Sequence, residues 1–167
     1  TFLKPQEVKE EIFHFAAADE QTVKNLNTNY RVVSPLSKES PALTVNIYNR
    51  EAYTTKTLDE LKEIRRQIIS LESGKMPVKD EDLKIIADFE NLRRLNLNFT
   101  DITGKGLQAL LPLKHLESLS LSGTNVTYAD LEHLLPSFKN LNTLAVWDTP
   151  MSISEIRLLQ TANRNVQ

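Results

Sequence analysis

The chain has 167 residues, 40% of them hydrophobic and 25% charged, with a formal net charge of −2 and no cysteine. That length suits one domain, or one domain with a substantial cap, and the composition excludes wholesale disorder. Lys+Arg 20 against Asp+Glu 22 leaves no basic excess to neutralise phosphates, so nucleic acid is not an expected partner. Without cysteine there is no disulfide, thiolate metal site, iron–sulfur cluster or cysteine nucleophile.

At the start of the chain, Thr1 to Glu11 lack the apolar stretch of a signal peptide, and no run of 18 apolar residues follows, so this segment is not expected to insert in a membrane. Starting at Thr1 instead of methionine points to a processed protein or a piece of a longer one. Val8, Ile12 and Phe15 share one helical face after Pro5, which suits a helix start. Asp19 can cap a second short helix carrying Val23 and Leu26. Tyr30 to Ser34 reads as a strand ended by Pro35. Ala42 to Tyr48 alternates, with Leu43, Val45 and Ile47 on one face. Thr57 is expected to open a helix over 58–70, with Leu58, Leu61, Ile64 and Ile68 inward and a capping box between Thr57 and Glu60. Residues 1–57 thus read as an α+β capping region, and 58–167 as the rest of one folding unit, since no Gly/Ser-rich linker separates them.

Leucines are unevenly spread, with seven in residues 1–82 and eighteen in 83–167. The second half repeats itself. Leu92, Leu95, Leu97, Thr100 and Ile102 form one register. Leu116, Leu119, Leu121, Thr124 and Val126 form the next, and Leu141, Leu144, Val146, Thr149 and Met151 the third, at offsets of 24 and 25. A worn copy precedes them in Ile68, Leu71, Ser73, Met76, Val78, Leu83, Ile86 and Phe89. L-x-x-L-x-L gives a short strand with one face inward, and the apolar set that follows gives a helix of roughly two to three turns. Pro112 and Pro136 sit near the ends of two of these helices. Each unit has an apolar interior that it cannot cover alone, so the units must stack.

Over about residues 68–161 the pattern resembles the leucine-rich repeat family. The resemblance implies an α/β fold: a short right-handed solenoid of about four repeats, with parallel strands on the concave side and helices on the convex side. That family commonly has Asn or Cys where this chain has Thr100, Thr124 and Thr149, and a threonine hydroxyl can also bond turn backbone. Across the whole chain, Tyr30–Leu36, Ser40–Leu43 and Leu95–Thr100 resemble the segment that follows a planctomycete-type c-type cytochrome module in some large bacterial membrane-anchored proteins. That likeness implies an extracytoplasmic, periplasmic tail. The haem motif C-x-x-C-H is absent, so electron transfer would belong to another part of the parent.

The outward strand positions form columns: Ser70, Arg94, Ser118 and Thr143; Glu72, Asn96, Ser120 and Ala145; Gly74, Asn98, Ser122 and Trp147. Of these, Arg94, Asn96, Asn98, Ser118, Ser120, Ser122, Thr143 and Trp147 are the candidate ligand-binding residues, able to hydrogen-bond and stack on a sugar or peptide. The same pattern also serves as a plain solvated sheet face. Four strands ~4.8 Å apart and ~16 Å long cover on the order of 250 Å², against roughly 800 Å² per partner in a standard protein interface. Trp147, the only tryptophan, is expected outward, either as a stacking anchor or folded over the end of the stack. His14, His115 and His133 read as surface residues. Asn98-Phe-Thr100 and Asn125-Val-Thr127 are glycosylation sequons, and the charged run from Glu60 to Arg66 is a solvated face. No phosphate loop, nucleophile elbow or paired-carboxylate motif is present, so no catalytic, metal or cofactor site is expected. The expected function is a monomeric, non-catalytic interaction or scaffolding module, its partner a protein or the rest of its own parent chain. The alternative is a receptor for a small glycan or peptide.

Overall fold

Alternating apolar residues at 24- to 25-residue intervals build the strands of a single sheet. The computed structural model describes residues 12–167. Its six strands lie side by side in chain order: β1 (Arg31–Pro35), β2 (Leu43–Ile47), β3 (Ile68–Glu72), β4 (Arg94–Asn96), β5 (Ser118–Ser120) and β6 (Thr143–Ala145). β1 and β2 form an antiparallel hairpin, and β2 to β6 run parallel. The registers Leu71↔Leu95↔Leu119↔Leu144 superpose the interior leucines of successive units. One apolar cluster runs beneath the sheet from Val33 to Leu159. Between Leu43 and Thr44 the pairing to β3 slips by one residue, which inserts Ile69 as an extra buried side chain.

The worn unit is fully used. Ile68, Leu71, Met76, Val78, Leu83, Ile86 and Phe89 are all buried. Ser73 is buried too, and its hydroxyl donates to the carbonyl of Asn96 at 3.1 Å, so a polar residue fits an interior position with its hydrogen bond satisfied.

Away from the strands the connections are short helices. α1 (Glu20–Leu26) is capped by Asp19, whose carboxylate accepts from Thr22 N at 2.8 Å. α2 (Lys56–Asp59), α3 (Leu83–Ile86) and α4 (Gly104–Leu107) are single turns. α5 (Tyr128–Leu134) and α6 (Ile153–Ala162) are longer, each with a capping box: Thr127 with Asp130, and Ser152 with Glu155. Gln108–Leu110 and Leu135–Ser137 continue α4 and α5 as 3₁₀ turns, so most of these helices fall short of the expected two to three turns. Pro112 follows the first of these turns, and Pro136 lies at the start of the second.

Two expected helices are corrected. Residues 58–70 do not form one helix: α2 ends at Asp59, a 3₁₀ turn spans Lys62–Ile64, and Ile68 already belongs to β3. Leu58, Leu61 and Ile64 recur every three residues, the eclipsed period of a 3₁₀ helix, and all three are buried. Thr57 is not the cap. It is buried inside α2, and its hydroxyl oxygen accepts from Thr54 N at 3.2 Å. The helix after Pro5 rests partly on Val8, which lies outside the described residues; Ile12 to Ala18 is not helical, and Ile12 is exposed.

Arg31 is inward-facing on β1 and only 1% exposed. Its guanidinium donates to the carbonyls of Thr57 at 2.7 Å and Leu26 at 2.9 Å, and pairs with Glu60 at 3.0 Å. A charge so placed ties α1, β1 and α2 together, and removing its partners would strand it in the core. Nearby, Asp82 is buried and accepts from Thr55 Oγ1 at 2.8 Å and Lys79 N at 3.0 Å. Burial, reinforced by that carboxylate, pushes the Tyr53 hydroxyl above its ordinary value.

Leu119 sits at the centre of the stacked register, fully buried between Leu95 and Leu144. Leu119→Asp is expected to unfold the chain cooperatively, because it places an unpaired charge in the core at a cost of several kcal/mol. Retention of the wild-type melting temperature and circular dichroism would refute the register.

Candidate functional site

The outward side of the sheet is one continuous surface of six strands. Its rows are Ser34, Thr44, Ser70, Arg94, Ser118 and Thr143, then Val32, Asn46, Glu72, Asn96, Ser120 and Ala145. The hairpin therefore widens the face expected from four strands. At ~4.8 Å spacing, with lengths of ~16 Å for the three five-residue strands and ~10 Å for the three three-residue ones, it reaches roughly 400 Å².

The candidate residues separate into two groups. Arg94, Ser118, Ser120 and Thr143 stand on the outward rows, and the Thr143 hydroxyl donates to Asn142 at 2.9 Å. Asn96, Asn98 and Ser122 are committed to the fold. Asn96 Nδ2 donates to Glu72 at 2.7 Å, while its Oδ1 accepts from Asn98 N at 2.9 Å. Asn98 Oδ1 accepts from Ser122 N at 2.8 Å, and Ser122 Oγ accepts from Trp147 N at 3.1 Å. Ser122 is 7% exposed, which corrects its expected place on the open face. These side chains form a polar ladder across the strand ends that holds successive units in register.

Directly after this ladder the chain turns through a left-handed residue in every unit: Lys75 (φ 64), Phe99 (φ 56), Gly123 (φ 68) and Asp148 (φ 55). The next residue closes the turn. Thr100 Oγ1 donates to Leu97 O at 2.7 Å, Thr124 to Leu121 O at 2.6 Å, and Thr149 to Val146 O at 2.9 Å. The threonine hydroxyl thus bonds turn backbone in all three clear repeats, as its chemistry suggested.

Sequence reasoning missed the left-handed positions, because only Gly123 advertises one. Gly123 also lies under the Phe99 ring, where an added methyl group would collide with the ring carbons. Phe99 is half-exposed and borders a cleft of ≈ 240 Å³ with Asn46, Glu72, Gly74, Lys75, Asn96 and Asn98. Trp147 is 78% exposed, so it projects to solvent and does not fold over the end of the stack. Of the histidines, His14 and His115 are exposed and line one cavity of ≈ 370 Å³ with Arg66 and Glu90; His133 lies apart on α5. Among the described residues no group of three or more His, Cys, Asp or Glu is placed to hold a metal, and no helix is long and apolar enough to cross a membrane.

The strand–turn–helix period and these turns place the fold in the leucine-rich-repeat type. Residues 90–111 match the family model described as Leucine Rich repeat. Among solved structures the chain is similar to leiomodin-1 actin-binding site 2, with a TM-score of 0.58 and 21% identity over 73% of this chain and 79% of that one. At that identity the likeness is one of fold. A search of curated proteins finds no match.

Gly123→Ala is expected to cost about 1–2 kcal/mol, from a disfavoured positive φ and collision with Phe99. In the Phe99→Ala background the same change is expected to cost measurably less, because only the backbone penalty remains. Equal costs in both backgrounds, read by denaturant unfolding, would show that the ring contact does not matter.

Proposed function

We propose that this chain is a non-catalytic protein-interaction or scaffolding module. In this reading it has about four leucine-rich repeats in a right-handed solenoid over 58–167, with strands on the concave side and residues 1–57 as an α+β cap. The observation that carries it is the ladder of Asn96, Asn98 and Ser122. It fixes the strand ends and leaves Arg94, Ser118, Ser120, Thr143 and the exposed Trp147 on a preorganised surface. Preorganisation lowers the ordering cost of docking. At roughly 400 Å² the face is about half of a standard protein footprint, so a protein partner would also cover Phe99, Trp147 and the turns around them. The solved neighbour named for actin binding supports a protein as the class of ligand; actin itself is not carried over. The resemblance to the tails of bacterial c-type cytochrome proteins supports an extracytoplasmic setting and service to a larger parent chain.

A small-ligand receptor is the second reading, favoured by Trp147 standing 78% exposed beside the polar ladder. The two separate by experiment. A photo-crosslinker placed at Ser120 is expected to capture a discrete protein from a native envelope extract, whereas one at Lys139 captures none. Arg94→Glu is expected to reduce that capture about tenfold or more, as loss of an interface charge does. Failure of Ser120 crosslinking, together with a saturable blue shift of Trp147 fluorescence on adding an envelope glycan, would replace the module with the receptor.

A further inference from the structure

The polar ladder lacks its first rung. In three successive units the backbone N–H at the ladder position is met by a side-chain oxygen. Asn98 N donates to Asn96 Oδ1 at 2.9 Å, Ser122 N to Asn98 Oδ1 at 2.8 Å and Trp147 N to Ser122 Oγ at 3.1 Å. The equivalent donor one unit earlier is Gly74 N, and among the described residues it has no partner. Gly74 is not at positive φ, so the backbone does not demand glycine there. What the missing side chain does is leave room for the cleft of ≈ 240 Å³ that Gly74 lines, with this N–H unclaimed.

Two side chains of opposite charge line the same cleft. Glu72 and Lys75 are exposed, and among the described residues neither forms an ion pair. Glu72 is held by Oε2, which accepts from Asn96 Nδ2 at 2.7 Å, while its Oε1 has no described partner. The side-chain amide of Asn46, opposite Glu72 on β2, has none either. Lys75 is fixed through its backbone: its N–H donates to Asn98 O at 2.7 Å and its carbonyl accepts from Arg50 Nη1 at 2.6 Å. Phe99 supplies an apolar wall, braced against Gly123 on the β5 side and half-exposed.

The cleft therefore offers donors in Gly74 N–H and the Lys75 ammonium, acceptors in Glu72 Oε1 and the Asn46 carbonyl oxygen, and an aromatic surface beside them. A ligand of one charge meets a like charge here, whereas a zwitterion satisfies both. At ≈ 240 Å³ the space is below the roughly 300–1,000 Å³ of drug-sized pockets, which sets the ligand at one small molecule. We propose that this cleft binds a free α-amino acid with an apolar side chain. Its carboxylate accepts from Gly74 N–H and Lys75, its ammonium donates to Glu72 and Asn46, and its side chain packs on Phe99. The site lies three strand spacings, ~14 Å, from Trp147. It needs no partner protein, so amino-acid binding and crosslinking at Ser120 succeed or fail separately.

The test titrates L-leucine and L-phenylalanine into the full chain and follows its amide resonances. At least one is expected to shift Gly74, Lys75 and Phe99 saturably, in the millimolar range that an open, solvent-screened cleft allows. N-acetyl-leucine, which lacks the ammonium, and leucine amide, which lacks the carboxylate, are each expected to bind about threefold or more weakly than leucine. Glu72→Gln is expected to remove most of the difference between leucine and N-acetyl-leucine, and Lys75→Gln most of that between leucine and leucine amide. A merely structural role for either residue would leave both differences in place. Gly74→Asn installs the residue that Asn98 carries at the equivalent position. It is expected to fill the cleft and abolish the shifts, with a melting temperature near that of the wild type. The proposal is overturned if neither amino acid shifts these amides saturably up to its solubility limit, or if leucine and its two derivatives bind equally. Undiminished binding by Gly74→Asn, or shifts confined to Ser120 and Trp147, would overturn it too. Tighter binding of D-glucose than of either amino acid at the same amides would replace the zwitterion with a sugar.

Discussion

The turn that ends each strand is the constraint on which the rest of the structure depends. A strand that stacks on an identical neighbour must reverse direction at the same point every 24 or 25 residues. Otherwise its interior leucines leave the register Leu71↔Leu95↔Leu119↔Leu144. Slipping a strand by one residue would turn each leucine to the polar side. The left-handed residue supplies the reversal, and at Lys75, Phe99 and Gly123 its N–H is spent on the next strand's end. The threonine hydroxyl then returns to the carbonyl at the strand's last interior position. A non-glycine residue at positive φ costs about 1 kcal/mol or more each at Lys75, Phe99 and Asp148, and at Phe99 the N–H bond to Ser122 and the Thr100 hydroxyl bond to Leu97 over-determine the turn.

A stack built this way has a problem at each end, and the two ends solve it differently. At the first unit, β2 adds in parallel and β1 folds back on it, so the sheet's leading edge is an antiparallel strand carrying Pro35. Beneath that strand the core is closed by α1 and α2, pinned by a single buried arginine. Arg31 serves where an apolar residue could not, because Leu26 and Thr57 offer backbone carbonyls that no strand claims. The last unit is closed less completely: Leu141 and Leu159 are buried and Gln167 pairs with Asn142 and Leu144, while Leu144 and Val146 stay half-buried.

The repeats were legible because interior positions admit few residue types, so leucine spacing reports burial directly. The strand β2 was legible for the same reason, through the period-two alternation of Leu43, Val45 and Ile47, whereas its antiparallel pairing with β1 was not. What did not show was set by backbone and tertiary bonds. Lys75 and Phe99 occupy left-handed positions that their side chains do not favour, and only alignment with Gly123 could have revealed them. Leu58, Leu61 and Ile64 fit an α-helix and a 3₁₀ turn almost equally well over so short a span, and the need to begin β3 at Ile68 decided between them. Ser122 looked like an outward donor by parity. The ladder that anchors Trp147 drew it in.

That ladder also bears on what the outward face can do. A side chain already bonded to its neighbours gives up fixed geometry, not free hydrogen-bonding capacity, so Asn96, Asn98 and Ser122 are poor candidates for direct recognition. Their contribution is to hold neighbouring positions still. Arg94, Ser118 and Ser120 sit on strands whose ends cannot shift without breaking several bonds together, and Trp147 projects from a backbone tied at both its N–H and its carbonyl. A large aromatic side chain on a fixed stem loses little conformational entropy when covered, which is the property that makes tryptophan an effective anchor at interfaces.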